Sequence, residues 1–178
     1  IRGRAARKAR APYRPGGLLR LGLAAIGMGE AMKKTQESGA CNWIMQNDPE
    51  AWARTRAFVQ VSGFVHTRMT GDFVDSVASQ IGHMPFDYRK QAWAARGHLN
   101  ARMFPVEPER LPRLVAPGSV VGRLNARAAA ELGLPAGLPV VAAGSDKGCE
   151  TLGSGVADES VASLSFGTTA TVQTTSRR

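Results

Sequence analysis

The chain has 178 residues, 43% hydrophobic and 21% charged, with 20 glycines and 10 prolines. This suits one compact domain with a real core and excludes global disorder and a collagen-like repeat. The net charge of +9 is concentrated: Arg2, Arg4, Arg7, Lys8, Arg10, Arg14 and Arg20 lie in a stretch of 20 residues without Asp or Glu, leaving 16 basic against 14 acidic residues beyond it. A basic tail alone attracts nucleic acid or an anionic surface. No basic, aromatic-rich pattern continues into the body, which speaks against a nucleic-acid module.

Residues 1–17 read as irregular, broken by Pro12, Pro15 and the Gly16-Gly17 pair. A helix over 18–34 carries Leu19, Leu23, Ile26 and Met28, weakened by three internal glycines. The apolar run from Gly16 to Gly29 contains Arg20 and is too short to span a bilayer. Asp48-Pro49-Glu50 has the chemistry of a helix start: a capping carboxylate, a proline in the first turn and an acid near the positive end. That helix is expected to carry Trp52, Thr55, Phe58 and Val59 and to be interrupted at Gly63. Met69-Thr70-Gly71-Asp72 is a turn, 75–78 a short helix or loop, and 87–93 the beginning of a further helix.

Four prolines between 105 and 117 divide the chain into short pieces before an extended stretch at 119–124. Asn125 caps a helix over 126–132, and a turn at 133–137 leads into a short buried strand over 138–143. A helix over 147–152 follows Gly144-Ser145-Asp146, and two extended segments flanking Gly167-Thr168-Thr169 read as a hairpin. Cys41 and Cys149 form neither a close ligand pair nor a disulfide framework, which implies reducing, cytoplasmic surroundings. His66, His83 and His98 show no metal-ligand spacing.

Two places have the makings of chemistry. Asp146 stands where a strand hands over to a helix, and open α/β sheets bind ligands outside the carboxyl ends of their strands. A carboxylate there either takes a proton from a hydroxyl during phosphoryl transfer or simply caps the next helix. Gly167-Thr168-Thr169 offers a close backbone approach and hydroxyls for phosphate oxygens, or is an ordinary hairpin turn. Neither a Walker-type phosphate loop nor a GxGxxG fingerprint occurs.

The ordered set says more than its members. Trp43, Asn47-Asp48-Pro49, Thr70-Gly71-Asp72, Asp75-Ser76-Val77-Ala78-Ser79, Asp87, Trp93, Pro117-Gly118-Ser119-Val120-Val121-Gly122, 133–140, Ala143-Gly144-Ser145-Asp146, Gly153-Ser154-Gly155 and Gly167-Thr168-Thr169 follow one another in a series. In this order the chain resembles the FGGY family of carbohydrate kinases, over about residues 41–175.

The resemblance implies an α/β, actin-like, ribonuclease-H-like fold with two lobes and a cleft. It also implies ATP- and Mg2+-dependent transfer of a phosphoryl group to a sugar or polyol hydroxyl. By motif position Asp146 looks like the catalytic base, and Gly167, Thr168 and Thr169 like the turn approaching the nucleotide phosphates. Asp75 matches the aspartate of the family's Asp-x-Ser-x-Ala segment, read as sugar-side support, although its serine position holds Val77 here. Lys147 after the base is a departure with consequences for the acceptor pocket.

The resemblance divides the chain into a basic, poorly matching segment (1–40), part of a first lobe (41–157) and the first hairpin of a second (158–178). The family's Asp-x-Gly-Thr phosphate segment does not occur. The expectation is a truncated, incomplete piece of a kinase, inactive by itself. Alternatively the chain is a non-catalytic interaction protein built on the same half-fold, its open sheet edges covered by a partner or a second copy.

Overall fold

The computed structural model describes residues 8–167 and 170–176. The N-terminal half is helical: α1 (Gly17–Ala25), α2 (Met28–Glu37), α3 (Ala40–Asn47), α4 (Pro49–Arg54) and α5 (Val61–Thr70). The expected single helix over 18–34 is two, broken where Gly27 turns left-handed at φ 68°; only glycine takes that conformation at no steric cost. Helix α3 was not anticipated. Asp48 starts α4 as its chemistry requires, accepting a bond from the Ala51 amide at 3.1 Å.

Helix α4 ends five residues short of its expected reach. The Phe58 amide leaves the helical path to donate to the Arg110 carbonyl at 2.7 Å, and the Phe58 ring packs edge-on against Trp52. Gly63 interrupts nothing; it lies inside α5, where a Cβ would stand 3.0 Å from Asp75 Oδ2. The glycine marks a close approach of helix to strand. Helix α5 ends at left-handed Gly71, where the turn was expected.

Strand β1 (Val74–Ser76) follows, fully buried, and passes into a 3-10 turn over Val77–Ser79. It pairs in parallel with β4 (Arg113–Val115), Asp75 opposite Leu114. Between them lie β2 (Phe86–Asp87), β3 (Ala92–Trp93) and α6 (Leu99–Met103).

The expected helix over 87–93 is instead the β2–β3 hairpin. Asp87 Oδ1 accepts both the Arg89 and Lys90 amides, which curls the chain into a turn, and Gln91 takes a left-handed φ of 50°. A short polar side chain competing for local backbone donors is what turns a helix-like pattern aside. These amides, that of Lys90 foremost, hold the Asp87 carboxyl below its usual range.

Strand β5 (Val120–Arg123) and β6 (Pro139–Val141) pair antiparallel with a bulge between Val120 and Gly122. Helix α7 (Ala126–Leu132) lies between them, capped by Asn125 as expected. The strand expected to be buried at 138–143 is not: Pro139 and Val141 are exposed and Val140 half-buried. The chain continues through α8 (Asp146–Gly153) into a hairpin of β7 (Ala162–Phe166) and β8 (Ala170–Thr174).

The larger core gathers Tyr13, Cys41, Trp52, Met84, Phe86, Met103, Phe104, Val106 and Leu111. Burial pushes the Cys41 thiol up to about 11, so it packs as a neutral side chain. A smaller cluster of Val74, Val121 and Ala142 lies under β1 and the β5–β6 pair.

Gly122 allows that pair to approach α5. A Cβ there would meet Thr70 Cβ at 2.7 Å and Asp72 Oδ2 at 2.6 Å. Asp72 is exposed and free to rotate, but Thr70 Cβ moves only with the end of α5. Gly122→Ala is therefore expected to destabilise the chain by about 1–3 kcal/mol, read as a lowered urea midpoint. An unchanged midpoint would mean that the close approach does not exist in solution.

Candidate functional site

The site is built on the segment from β6 to α8. Ala142 is buried and exchanges two backbone bonds with the β4–β5 connection, donating to the Ser119 carbonyl and accepting from the Gly118 amide, both at 2.8 Å. One residue on, the Ala143 carbonyl accepts the Ser76 hydroxyl at 2.7 Å. Ser76 is the last residue of β1, so the segment is fastened at the carboxyl edge of the parallel pair. Ser145 then caps α8, accepting the Gly148 amide at 3.1 Å.

Of the two roles open to Asp146, the cap belongs to its neighbour. Asp146 is the first residue of α8 and exposed, and one carboxylate oxygen accepts the Lys147 amide at 2.7 Å. Among the described residues no hydrogen bond reaches the other oxygen, although the Lys147 ammonium is near enough to feel the carboxylate's charge. An exposed carboxylate with a free oxygen is able to accept a proton from an incoming hydroxyl.

The β7–β8 hairpin is tethered to the same helix. Lys147 Nζ reaches Glu150 and lies 3.3 Å from Ser165 Oγ on β7, while Thr151 bonds Gln173 on β8. The Glu150 carboxylate raises the Lys147 ammonium above its usual range. The Lys147–Ser165 contact ties β7, two residues before Gly167, to the residue that follows Asp146 at the start of α8. Gly167 is open, with no atom within 4 Å of a Cβ built on it. Thr168 and Thr169 lie outside the described residues.

Asp75 occupies a different environment, with no exposed surface. Oδ1 accepts the Ser76 amide at 2.8 Å, and Oδ2 accepts Ser62 Oγ at 2.9 Å and Gln80 Nε2 at 2.7 Å. His66 Nδ1 stands 3.2 Å from Oδ1 without an aligned hydrogen bond. Among the described residues Asp75 is linked to the Asp146 segment through Ser76, a residue that sequence reasoning did not single out. Its one signal was its place beside Asp75 in the recurring segment.

A second feature missed from sequence is an open concavity of about 420 Å³ between the β2–β3 hairpin and the carboxyl ends of β1 and β4. Val77, Leu114, Val115 and Trp93 supply its apolar wall, Lys90 and Gln91 its polar one. The Trp93 indole is held by an N–H bond to the Pro112 carbonyl at 2.7 Å. Among the described residues no group of three His, Cys, Asp or Glu side chains gathers to hold a metal. Nor is any helix there long and apolar enough to cross a membrane.

Residues 29–153 match the sequence profile of the FGGY family of carbohydrate kinases, N-terminal domain. The chain is 38% identical over 107 residues to the uncharacterized sugar kinase YgcE of Escherichia coli, covering 60% of this chain and 22% of that protein. With L-fuculokinase of the same organism it shares 33% over 131 residues, 71% of this chain and 26% of the relative. It therefore spans about a quarter of the length of these curated relatives.

Among solved structures, ligand-bound xylulose kinase from Lactobacillus acidophilus superposes with a TM-score of 0.68 at 15% identity, over 86% of this chain and 32% of that one. Glycerol kinase from Plasmodium falciparum with ADP superposes at 0.62 and 16% identity, over 79% of this chain and 27% of that one.

Proposed function

The chain belongs to the FGGY family of carbohydrate kinases, and on that premise we propose that it is the phosphoryl-transfer segment of an ATP-dependent sugar or polyol kinase. In this reading the fold is actin-like and ribonuclease-H-like. Residues 41–157 contribute part of a first lobe and 158–178 the start of a second. Asp146 is the base. As the acceptor oxygen forms its bond to the terminal phosphorus of ATP, the bond to the bridging oxygen of ADP breaks and the hydroxyl proton passes to the Asp146 carboxylate. Gly167, Thr168 and Thr169 approach the phosphates from the other side.

The observation that carries this reading is an exposed, non-capping carboxylate at the start of α8, with the next residue tethered to strand β7 of the hairpin. Mg2+ is commonly held by one or two carboxylates together with substrate phosphates and water. In this reading Mg2+ would arrive with the nucleotide and would neutralise developing phosphate charge, and the exposed Asp146 carboxylate would be an oxygen donor open to it.

The non-catalytic alternative has one observation in its favour. Leu164, Phe166 and Val172 turn outward from the hairpin, 59–81% exposed, while Ser163, Ser165 and Gln173 face inward. In the kinase reading the remainder of a second lobe covers that apolar face; in the alternative a partner or a second copy does.

The test grafts residues 41–176 in place of the matching segment of L-fuculokinase and measures ADP release with ketoses, aldonates and polyols as acceptors. We expect acceptor-dependent ADP release from the graft and none from the 178-residue chain alone. A folded graft that releases no ADP with any acceptor would overturn the kinase reading. Turnover by the chain alone would overturn its dependence on further segments.

A further inference from the structure

We infer that Ser76 is a positioning residue for Asp146, locking the start of α8 to the end of β1, and that buried Asp75 serves the site by holding Ser76 rather than by touching substrate. The inference rests on the reading of Asp146 as the base.

Ser76 is fully buried and its hydroxyl works in two directions. It accepts the Ala78 amide at 3.2 Å, closing the 3-10 turn that ends β1, and donates to the Ala143 carbonyl 67 residues away at 2.7 Å. This is the last hydrogen bond on the segment before the Ser145 cap, among the described residues. Beyond it Gly144 contributes no side chain, so the direction in which Asp146 leaves the sheet depends on how Ala143 is held.

Asp75 explains why the Ser76 hydroxyl is reliably aimed. Its carboxylate fixes the Ser76 amide from one oxygen and is itself clamped by Ser62 of α5 and Gln80 from the other. The glycine at 63 makes room for that carboxylate against the helix. The path therefore runs from α5 through Asp75 and Ser76 to Ala143, and no oxygen of Asp75 is left exposed for a sugar.

The test is amide hydrogen exchange on the 178-residue chain, with no nucleotide or sugar present. In Ser76→Ala the Gly148 and Cys149 amides, which bond to Ser145, are expected to exchange about fivefold faster, the effect of losing one hydrogen bond. Amides of Trp52 in α4 and Ala129 in α7, which lie off the path, should stay within about twofold. Ser76→Thr keeps the hydroxyl on a residue that suits a strand and is expected to restore protection at 148 and 149. Unchanged exchange there in Ser76→Ala, an equal rise at all four amides, or failure of threonine to restore protection would each overturn the proposal.

Should Ser76→Ala not fold, the unsubstituted chain supplies the reading. Exchanging the Ser76 hydroxyl for deuterium is expected to shift the Ala143 carbonyl carbon resonance, and no shift would overturn the bond. None of these readouts involves turnover, so a failed kinase assay and a failed lock are separate results.

Discussion

Asp146→Asn in the fuculokinase graft is expected to lower kcat by about 10²–10⁴-fold, the usual contribution of a general base, with the KM for acceptor and for ATP little changed. Asparagine has nearly the shape of aspartate, and its side-chain oxygen accepts the Lys147 amide as the carboxylate does. Ser145, not Asp146, caps α8, so the helix start survives the substitution. What is lost is the capacity to take up the acceptor's proton as the new oxygen–phosphorus bond forms. A loss confined to kcat is the mark of an interaction made in the transition state. A raised KM with unchanged kcat would make Asp146 a binding residue, and activity close to that of the unsubstituted graft would remove it from the chemistry. Ser145→Ala is the companion: removing a cap costs about 1 kcal/mol, so it should lower the unfolding midpoint far more than it lowers kcat.

The parts of this molecule legible in sequence are those decided within a few residues. Asp48 and Asn125 each bond an amide three residues on, so their helices begin where side-chain chemistry says they must. Gly71 ends α5 because the chain needs a left-handed residue there. The β7–β8 hairpin and the step from β6 to α8 were legible for the same reason.

What was misread depended on distant partners. Gly63 looks like a helix breaker until Asp75, twelve residues later, needs the space of its missing side chain. Phe58 leaves the helical pattern to reach Arg110. The segment over 87–93 has the spacing of a helix, but Asp87 diverts two amides and the hairpin packs Phe86 against Trp93 at 5.9 Å. The candidate site divides in the same way. Asp146 and Gly167 stand out locally, whereas Ser76 has meaning only through a carbonyl 67 residues away.

Phe104→Ala is expected to cost about 3–5 kcal/mol, as truncation of a buried phenylalanine does, the largest stability loss foreseen for this chain. Phe104 is 2% exposed within the larger core, its ring beside that of His83 with centroids 5.5 Å apart. It also fills the space over Gly39, where a Cβ would stand 3.0 Å from the ring. Emptying that volume unseats the start of α3 from the end of α6. At roughly 2–4 °C per kcal/mol for a domain of this size, the midpoint of thermal unfolding should fall by about 10 °C. Phe166→Ala is the control: its ring is 81% exposed, and surface truncations stay within about 0.5 kcal/mol. A Phe104→Ala midpoint no lower than that of Phe166→Ala would mean that the cluster is not the core. The Asp146 segment rests on the other cluster, around Val74, Val121 and Ala142. In Phe104→Ala, exchange at Gly148 and Cys149 should therefore rise only as far as global unfolding requires, whereas Ser76→Ala should raise it beyond what its own, smaller fall in midpoint accounts for. Opposite rankings of the two variants by midpoint and by local exchange would separate what holds this chain folded from what aims its carboxylate.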